Sequence, residues 1–475
     1  MREILVVQVG QCGNQIGSRF WQHALNEFEK YNSVKVYDEA ISSFFRNVDA
    51  SGQSIAPGPN TPRHSLKARA ILIDAEEGVL SSIMRSPIRD LFELTQFIGD
   101  TSGSGNNWAR GFHHYGTKYH DDILDKVRRS AEQCDSLQSF FLLHSLGGGT
   151  GSGLGTYTIQ LLADEFPTVY RFATSVFPSE NDDVTTSPYN SVLALGQLIE
   201  HADCVLPLHN EALMEICERT QSQAAKGDAA AVIGGVDGGQ KRAKPYDDMN
   251  DIAARLLTDL TSSMRFEGSL NVDLNEITMN LVPFPRMHLL TASMAPLVRP
   301  RDIAFQPRRI TQMFDAVFHR DSQIIQADPT QHFYLGCGLF VRGSHVEISD
   351  IHNNIARIRP NLKMVPWNQE AFKVGLCGAP PVGLPYSLLC LANNTCVTQP
   401  LEAMIQRWNS LFKHHAHVHH YTEFIGLDEM AEAKERVLSV CRDYAEVERM
   451  AGTGGQAVPR SVAEAAPFHR QLPLF

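Results

Sequence analysis

The sequence predicts an α/β fold: a parallel sheet flanked by helices, then a mixed α/β domain and a helical C-terminal layer. In the first half, short apolar runs alternate with amphipathic stretches, which is typical of parallel strands covered by helices. From about residue 283, strand-like and helical segments are mixed. Residues 401–475 read mainly as helices. These three observations place the expected functional loops in the first half of the chain.

Five apolar runs predict buried strands, because both faces of each run are apolar. They are ILVVQV (4–9), ARAILID (68–74), SFFLLHS (139–145), RFATSVF (171–177) and DCVLPL (203–208). In sheets of this type, ligands bind at the carboxyl ends of the strands. The loops that follow these runs are therefore the first places to look for a site.

This pattern divides the chain into four regions. The regions are 1–244, the first domain; 245–282, a central helix and a connecting loop; 283–400, the mixed α/β domain; and 401–475, the helical region with a frayed tail. Segment 221–244 is rich in Ala and Gly with little periodicity, which predicts a mobile insertion. A helix should follow from Pro245 to about Phe266, with Pro at its start. The other predicted elements are strands at 287–294, 332–343 and 387–394, and helices at 308–318, 401–415 and 428–450.

Composition limits the partners and the compartment. The net charge of −11 and pI near 5.9 argue against nucleic acid or an anionic membrane as the main partner, because binding phosphates needs clusters of Lys and Arg. The nine cysteines include no CxxC pair, which favours buried thiols in a reducing compartment. The apolar run near the N-terminus is too short for a signal sequence or a membrane span. We therefore expect a cytosolic protein.

The glycine-rich segment GGGTGSG (147–153) predicts a phosphate site. It lies between a predicted strand and a predicted helix, so its backbone N–H groups and the helix dipole can attract an anion. No Lys follows the glycines and the spacing is not GxGxxG, so the segment is neither a Walker A loop nor a dinucleotide fingerprint. Backbone amides and a metal must then balance the phosphate charge. The alternative for such a segment is a flexible turn.

Four further loops at the ends of predicted strands favour the phosphate site over the turn. They are GQCGNQIG (10–17), DAEEG (74–78), GSGNNW (103–108) and HNEA (209–212). The carboxylates of DAEEG suit a Mg²⁺ ion that keeps most of its waters. Since parallel strands bring their carboxyl ends to one edge, these loops should converge there.

These motifs resemble the tubulin family. GGGTGSG, with GQCGNQIG before it and NLVPFPRMH (280–288) after it, carries the resemblance, which runs from residue 1 to about 450. It implies a tubulin-like GTPase domain, an intermediate domain and a helical C-terminal region, with GTP or GDP and Mg²⁺ as cofactors. Two predicted amides, Asn210 and Asn250, suit guanine, because an amide can both donate and accept a hydrogen bond.

The resemblance also implies a role for each matching residue. These are Gln11, Cys12 and Gln15 at phosphate and base; Asp74 and Glu76 near Mg²⁺, through water; Asn106 and Ser145 at phosphate and ribose; Gly148, Gly149, Thr150 and Gly151 as the phosphate cradle; Asp183 at the ribose; Asn210 and Asn250 reading guanine; and Tyr246 stacking on it. Tyr246 and Asn250 are four residues apart, so they share a helix face.

Segment NVDLNE (271–276) carries the predicted catalytic acids. In the family this loop lies at the end of the subunit opposite its own nucleotide and reaches the GTP of the next subunit in a head-to-tail filament. Glu276, with Asp273 three residues earlier, resembles the alpha-tubulin pattern, and such a carboxylate can orient or deprotonate the attacking water. GTP hydrolysis would then need an inter-subunit contact. The alternative is an ordinary solvated pair of acids.

Within the family, several segments resemble the epsilon class. They are YDEAISSFFRNV (37–48), SGSGNNWA (102–109), SPYNS (187–191), RFEGSLNVDLNEI (265–277) and the 221–244 insertion. This resemblance implies a cytoplasmic, cytoskeletal protein of the centrosome, centriole or basal body, acting in triplet microtubules. The implied partners are delta-, alpha- or beta-tubulin and centriolar proteins. Ser187 and His209 depart from the alpha and beta pattern, where acids stand, so the ribose contacts should be rearranged.

Two other functions remain as alternatives at this level. One is a structural tubulin that holds GTP without hydrolysing it. The other is a dinucleotide enzyme on a similar sheet, for which the second domain offers no substrate site. A further motif, HHAHVHH (414–420), places His415 and His419 four residues apart, which suits either a metal or a pH-sensitive surface.

Overall fold

The computed structural model describes residues 2–31, 39–49, 54–55, 65–180, 182–231, 245–266, 268–297 and 309–453. Within these ranges the strands are β1 (Glu3–Val9), β2 (Phe45–Val48), β3 (Ser54–Ile55), β4 (Leu66–Ala68), β5 (Ala70–Asp74), β6 (Phe97–Gly99), β7 (Leu137–Ser145), β8 (Tyr170–Phe177), β9 (Cys204–His209), β10 (Thr291–Ala295), β11 (Tyr334–Gly343), β12 (Phe372–Cys377) and β13 (Tyr386–Asn394). The helices are α1 (Gly10–Tyr31), α2 (Glu77–Met84), α3 (Gly116–Glu132), α4 (Gly155–Glu165), α5 (Ser187–His201), α6 (Asn210–Ala231), α7 (Pro245–Leu260), α8 (Ser262–Arg265), α9 (Leu274–Leu281), α10 (Ile310–Val317), α11 (Ile348–Ile358), α12 (Thr398–Phe412) and α13 (Leu427–Gly452).

The first half forms a six-stranded parallel sheet in the order β6-β5-β1-β7-β8-β9. The five predicted strands are all present, so the expected parallel sheet flanked by helices is confirmed. One predicted strand needs correction, because the run 68–74 divides at Arg69 between β4 and β5. The backbone of Arg69 bonds to Phe44 on one side and to Val6 on the other, which joins two sheets. Strand β6 has no counterpart among the predicted strands, because its three residues are too few for a pattern.

Alternate residues of β1 face two separate cores, one on each side of the sheet. Leu5, Val7 and Val9 pack in the core that contains residues of α3, α5, α12 and α13. Ile4 and Val6 pack in the other core, which contains residues of α1, α2 and α7. Each core requires helices on its own face of the sheet, because apolar residues on both faces must be covered. The C-terminal helical layer therefore lies on one face, and α1 and α7 lie on the other.

The mixed second domain contains a four-stranded sheet in the order β10-β13-β11-β12. Its β13 pairs antiparallel with β10 and β11, whereas β11 and β12 are parallel. Three of its strands match predictions, and β12 is missed because its first three residues are only half-buried and weaken the apolar run. A small third sheet, in the order β3-β2-β4, also lies outside the predictions.

A buried cluster of charges joins α1 to the second sheet. Glu27 accepts from Arg265 at 2.7 Å and from Arg342 at 2.9 Å, and Arg342 also reaches Asp259 at 2.9 Å. Burial disfavours the ionised form of Glu27, but Arg342 and Arg265 outweigh burial and hold the pKa of Glu27 below its usual value. Because removing one partner leaves an uncompensated buried charge, these contacts couple the two domains.

The segment 221–244, predicted as a mobile insertion, begins in a helix. Residues 221–231 continue α6, because a run rich in Ala has high helix propensity and a single Gly does not end it. Residues 232–244 and the predicted frayed tail from 454 onward lie outside the described residues. The helix predicted from Pro245 is present, but it breaks at Thr261 between α7 and α8. Among the helices described, none is long and apolar enough to cross a membrane.

Candidate functional site

A cavity of about 900 Å³ opens at the carboxyl edge of the parallel sheet. Its volume lies within the range for ligand sites, roughly 300–1,000 Å³. All the predicted cofactor and metal residues except Asp183 line it: Gln11, Cys12, Gln15, Asp74, Glu76, Asn106, Ser145, Gly148, Gly149, Thr150, Gly151, Asn210, Tyr246 and Asn250. Asp183 is exposed, and the neighbouring Asp182 lines the cavity in its place. The loops after β1, β5, β7 and β9 thus converge, as expected from strand topology.

The glycine-rich loop after β7 contains glycines required for two different reasons. A Cβ atom at Gly151 would lie 2.8 Å from Ser145 Oγ, so the fold itself excludes a side chain there. A Cβ atom at Gly148 would meet nothing closer than Asn106 Oδ1 at 3.9 Å. Gly148 therefore faces open space within the cavity. Of these two glycines, only Gly148 is left for a ligand to contact closely.

His144, at the start of this loop, holds it from behind. Its Nδ1 lies 2.9 Å from the carbonyl oxygen of Gly151, so Nδ1 carries the proton and donates. Nε2 then accepts from Ser175 Oγ at 2.8 Å. Burial lowers the pKa of His144 to about 4, which the hydrogen bond to Gly151 only partly opposes. A neutral imidazole in one tautomer therefore positions the loop at neutral pH.

The acidic side of the cavity suits a hydrated cation. The pKa of Asp74 is raised to about 7, chiefly by burial and also by the charge of Glu76, against the lowering effect of backbone hydrogen bonds. Asp74 Oδ1 accepts from the backbone N–H of Glu76 at 3.3 Å, whereas Oδ2 is buried without a hydrogen-bond partner. A buried, unpaired carboxylate oxygen fits Mg²⁺, which prefers oxygen ligands and keeps several waters.

No described part of the chain gathers three or more His, Cys, Asp or Glu side chains as a metal cage. An ion at Asp74 would therefore complete its coordination with waters and ligand phosphates.

The His-rich segment 414–420 does not form the continuous helix that would place His415 and His419 on one face. Residues after Lys413 form turns, with positive φ at His415 and His417, before the short helical turn Val418–His420.

The opposite side of the cavity carries amides and an aromatic ring. Asn250 Nδ2 donates to Gln15 Oε1 at 3.2 Å, which ties α7 to α1. Tyr246, one turn earlier on α7, is 60% exposed and offers its ring to the cavity. Burial raises the pKa of Cys12 to about 12, so the thiol facing the cavity stays neutral. These groups can stack on a planar base and exchange hydrogen bonds with it.

The two departures from the alpha and beta pattern do not line the cavity. His209 stacks on Phe177, with ring centroids 4.9 Å apart. Burial, assisted by Arg407, lowers the pKa of His209 to about 3, so its ring is neutral. Ser187 is buried in the first turn of α5.

Sequence reasoning missed Asn190, which braces two loops of the site. The residue is fully buried on α5 and bonds to the backbone of residues in both 103–108 and 144–151. Within SPYNS its amide resembles any polar helix residue, so no local signal identifies it. Arg19 and Asp247 also line the cavity without having been predicted.

The predicted catalytic acids lie at the other edge of the sheet. Asp273 is the N-cap of α9, where its Oδ1 accepts from the backbone N–H of Glu276 at 2.7 Å and its Oδ2 pairs with Arg2. Glu276 Oε2 lies 3.3 Å from Lys373 Nζ. Arg2 immediately precedes β1, so these acids lie at the amino ends of the strands, whereas the cavity lies at the carboxyl ends.

Comparisons with known proteins agree with this architecture. Residues 3–218 match the Tubulin/FtsZ family, GTPase domain, and residues 285–406 match the Tubulin C-terminal domain. The chain is 50% identical to the Tubulin epsilon chain of Homo sapiens over 474 residues, covering 97% of this chain and 99% of the human one. The mouse Tubulin epsilon chain is also 50% identical, over 476 residues and the same shares of the two chains. The Tubulin beta-2 chain of Suillus bovinus is 33% identical over 453 residues, 93% of this chain and 95% of its own. The chain therefore belongs to the tubulin family, and within that family it is a tubulin of the epsilon class.

Proposed function

We propose that this chain binds GTP or GDP with Mg²⁺ in the cavity and forms head-to-tail contacts with other tubulins. Membership of the family implies guanine-nucleotide binding. One observation carries the head-to-tail proposal: the cavity and Glu276 lie at opposite edges of the same sheet. A contact between unlike surfaces is heterologous and need not close, which produces filaments.

In this proposal the phosphates lie against Gly148 and receive backbone N–H donors from the loop that His144 holds. Asp74 and Glu76 hold Mg²⁺ through water, and the ion supplies positive charge that offsets the phosphates. Tyr246 stacks on guanine, while Asn210 and Asn250 read its edge. The other predicted contacts to the nucleotide are made by the remaining residues that line the cavity: Gln11, Cys12, Gln15, Asn106, Ser145, Gly149, Thr150 and Gly151. We assign the ribose-side role predicted for Asp183 to Asp182, which lines the cavity.

The two acids of the opposite edge take different roles in the proposed hydrolysis. The carboxylate of Asp273 is already bonded to the N–H of Glu276 and to Arg2, so Asp273 positions the first turn of α9. The side chain of Glu276 is 38% exposed and can reach a neighbouring subunit. We propose that Glu276 orients or deprotonates the water that attacks GTP bound to that neighbour. Hydrolysis then occurs only when the inter-subunit contact completes the site.

The epsilon class extends the proposal to a cellular role. We propose that the chain acts in the cytoskeleton, at the centriole or basal body, in assembly of triplet microtubules. Its partners would be delta-, alpha- or beta-tubulin and centriolar proteins. The net charge of −11 supports protein partners rather than nucleic acid or anionic membranes.

A second candidate is a scaffold that binds GTP without promoting hydrolysis. The ion pair between Glu276 and Lys373 supports it, because a carboxylate engaged by an ammonium group must leave that partner before it can reach a water on a neighbouring subunit. The two candidates differ in whether Glu276 leaves Lys373 when a partner docks. They make opposite predictions for hydrolysis in a mixture of subunits.

The test is single-turnover GTP hydrolysis by the chain alone and after mixing with alpha-, beta- or delta-tubulin. We expect a partner-dependent rate that Glu276→Ala lowers by about 100-fold, the lower end of the effect of removing a general acid or base. The control is Glu370→Ala, which removes an acid whose side chain is 85% exposed just before β12, the strand that carries Lys373, and which should leave the rate unchanged. GTP binding with no rate dependent on Glu276 would support the scaffold instead.

A further inference from the structure

The side chain of Asn190 joins both phosphate-side loops at one point. Its Nδ2 donates to the carbonyl of Asn106 at 2.8 Å and to that of Gly147 at 2.9 Å. Its Oδ1 accepts from the backbone N–H of Trp108 at 2.9 Å. Asn106 lies in the loop 103–108, and Gly147 begins the glycine-rich segment. One amide therefore fixes the separation of two loops that line the same cavity.

Tyr421 completes the bonding of this amide from the C-terminal layer. Its hydroxyl donates to Asn190 Oδ1 at 2.6 Å, across 231 residues of sequence. Asn190 and Tyr421 are both fully buried. With this bond, both N–H groups and both acceptor positions of the Asn190 amide are used. Since water cannot replace a lost partner at a buried site, each bond constrains the amide.

A second contact connects the same regions. Asn107 Nδ2 donates to the backbone carbonyl of His420 at 2.7 Å, next to Tyr421 in the chain. Asn107 Oδ1 also accepts from the backbone N–H of Ala109 at 2.9 Å, so the residue fixes the backbone immediately after the loop. The loop 103–108 is thus held by the C-terminal layer through two adjacent residues, His420 and Tyr421.

We propose that Asn190 is a positioning residue for phosphate binding and that Tyr421 couples the C-terminal helical layer to nucleotide affinity. The inference rests on the proposed nucleotide function. The donors that meet phosphate are backbone groups, and their direction depends on how the loops are held. Asn190 sets that geometry, and Tyr421 orients Asn190. A partner that displaces the segment around Tyr421 would change nucleotide affinity without touching the nucleotide.

Tyr189 offers a matched control for Tyr421. It precedes Asn190, is also fully buried, and its ring lies 5.4 Å from that of Tyr421. Its hydroxyl donates to the carbonyl of Ala416 at 2.9 Å. This bond reaches the C-terminal layer, as that of Tyr421 does, but it does not involve Asn190 or a phosphate-side loop. Tyr189→Phe and Tyr421→Phe therefore each remove one buried hydroxyl from the same region.

The experiment measures the Kd and the dissociation rate of GTP for the full chain, in Mg²⁺, alongside the thermal midpoint. Both Phe variants should lower the midpoint similarly. Only Tyr421→Phe should weaken GTP binding, with a Kd about fivefold higher. This is the factor expected if the net contribution of one buried hydrogen bond is lost from the free energy of binding. Asn190→Asp, which loses both donated bonds, should weaken GTP further. If Asn190→Asp does not fold, the comparison of Tyr421→Phe with Tyr189→Phe still tests the proposal.

The outcomes separate this inference from the proposed function. If the wild-type chain does not bind GTP, the nucleotide function itself is wrong. If the wild-type chain binds GTP and Tyr421→Phe binds equally tightly, only the positioning role is overturned. Equal weakening by Tyr421→Phe and Tyr189→Phe overturns it as well, because the effect would then be general destabilisation. Selective weakening by Tyr421→Phe supports the coupling.

Discussion

Asp74→Asn should stabilise the nucleotide-free protein at alkaline pH while weakening its Mg²⁺-dependent GTP binding. The pKa of Asp74 is raised from 3.8 to about 7, so its contribution to stability is complete below pH 3.8 and is lost as pH rises through 7. This difference corresponds to about 4 kcal/mol when the carboxylate is fully ionised. Asn removes that cost but leaves a buried amide short of partners, which costs about 1–3 kcal/mol. The expected net gain at pH 8 is about 2 kcal/mol.

Urea unfolding without nucleotide or Mg²⁺, followed by the fluorescence of buried tryptophans including Trp21 and Trp108, measures this difference. At pH 5 most of the ionisation cost is absent, so the advantage of Asp74→Asn should fall to about zero. Asp247→Asn is the control, because it removes another carboxylate that lines the cavity but is paired with Arg19 at 3.6 Å. An Asp74→Asn variant no more stable than wild type at pH 8, or equally advantaged at both pH values, would refute the reasoning.

Two further predictions concern the glycine-rich loop. The pKa of His144 is lowered from 6.5 to about 4, so wild type should lose about 3 kcal/mol as pH falls between those values. His144→Asn, which keeps a donor for Gly151, should flatten this acid loss in urea unfolding, and an unchanged loss would contradict the assignment. Gly151→Ala should destabilise the fold by about 1–3 kcal/mol through overpacking, because its Cβ would lie 2.8 Å from Ser145 Oγ. Gly148→Ala should instead leave the thermal midpoint nearly unchanged and raise the Kd of GTP about tenfold, which corresponds to about 1.4 kcal/mol of lost contact. A lower midpoint for Gly148→Ala together with an unchanged midpoint for Gly151→Ala would show that the two glycines are wrongly assigned.

The buried carboxylate of Asp74, with its unpaired oxygen, destabilises the protein without a ligand, and the proposed cation would remove that cost. Glu27 shows the contrasting case. It is buried as deeply, but Arg265 and Arg342 satisfy both of its oxygens, so its pKa is lowered rather than raised. Burial alone therefore does not decide the direction of a pKa shift; the presence or absence of a charged partner does.

Much of the candidate site follows from local sequence patterns. The loops after the apolar runs could be placed at one sheet edge because parallel strands end there together. The ribose-side residue implied by the resemblance, Asp183, is exposed, whereas the neighbouring Asp182 lines the cavity. The helix at 221–231 was missed because its composition suggested an insertion, although Ala favours helix.

The acids near residue 273 were expected from the resemblance to the tubulin family. The sequence by itself determined the parallel sheet and the loops that meet at its carboxyl edge. These features depend on apolar runs, on glycine content and on chain order, which are local properties. Only the tertiary structure decided that Gly148 faces the cavity while Gly151 packs on Ser145. It also decided that Asp273 is bonded to its own helix, while Glu276 pairs with Lys373 and has a side chain that is 38% exposed. The reason is physical: burial and hydrogen-bond partners depend on residues far apart in the chain, and their pairing exists only once the chain has folded.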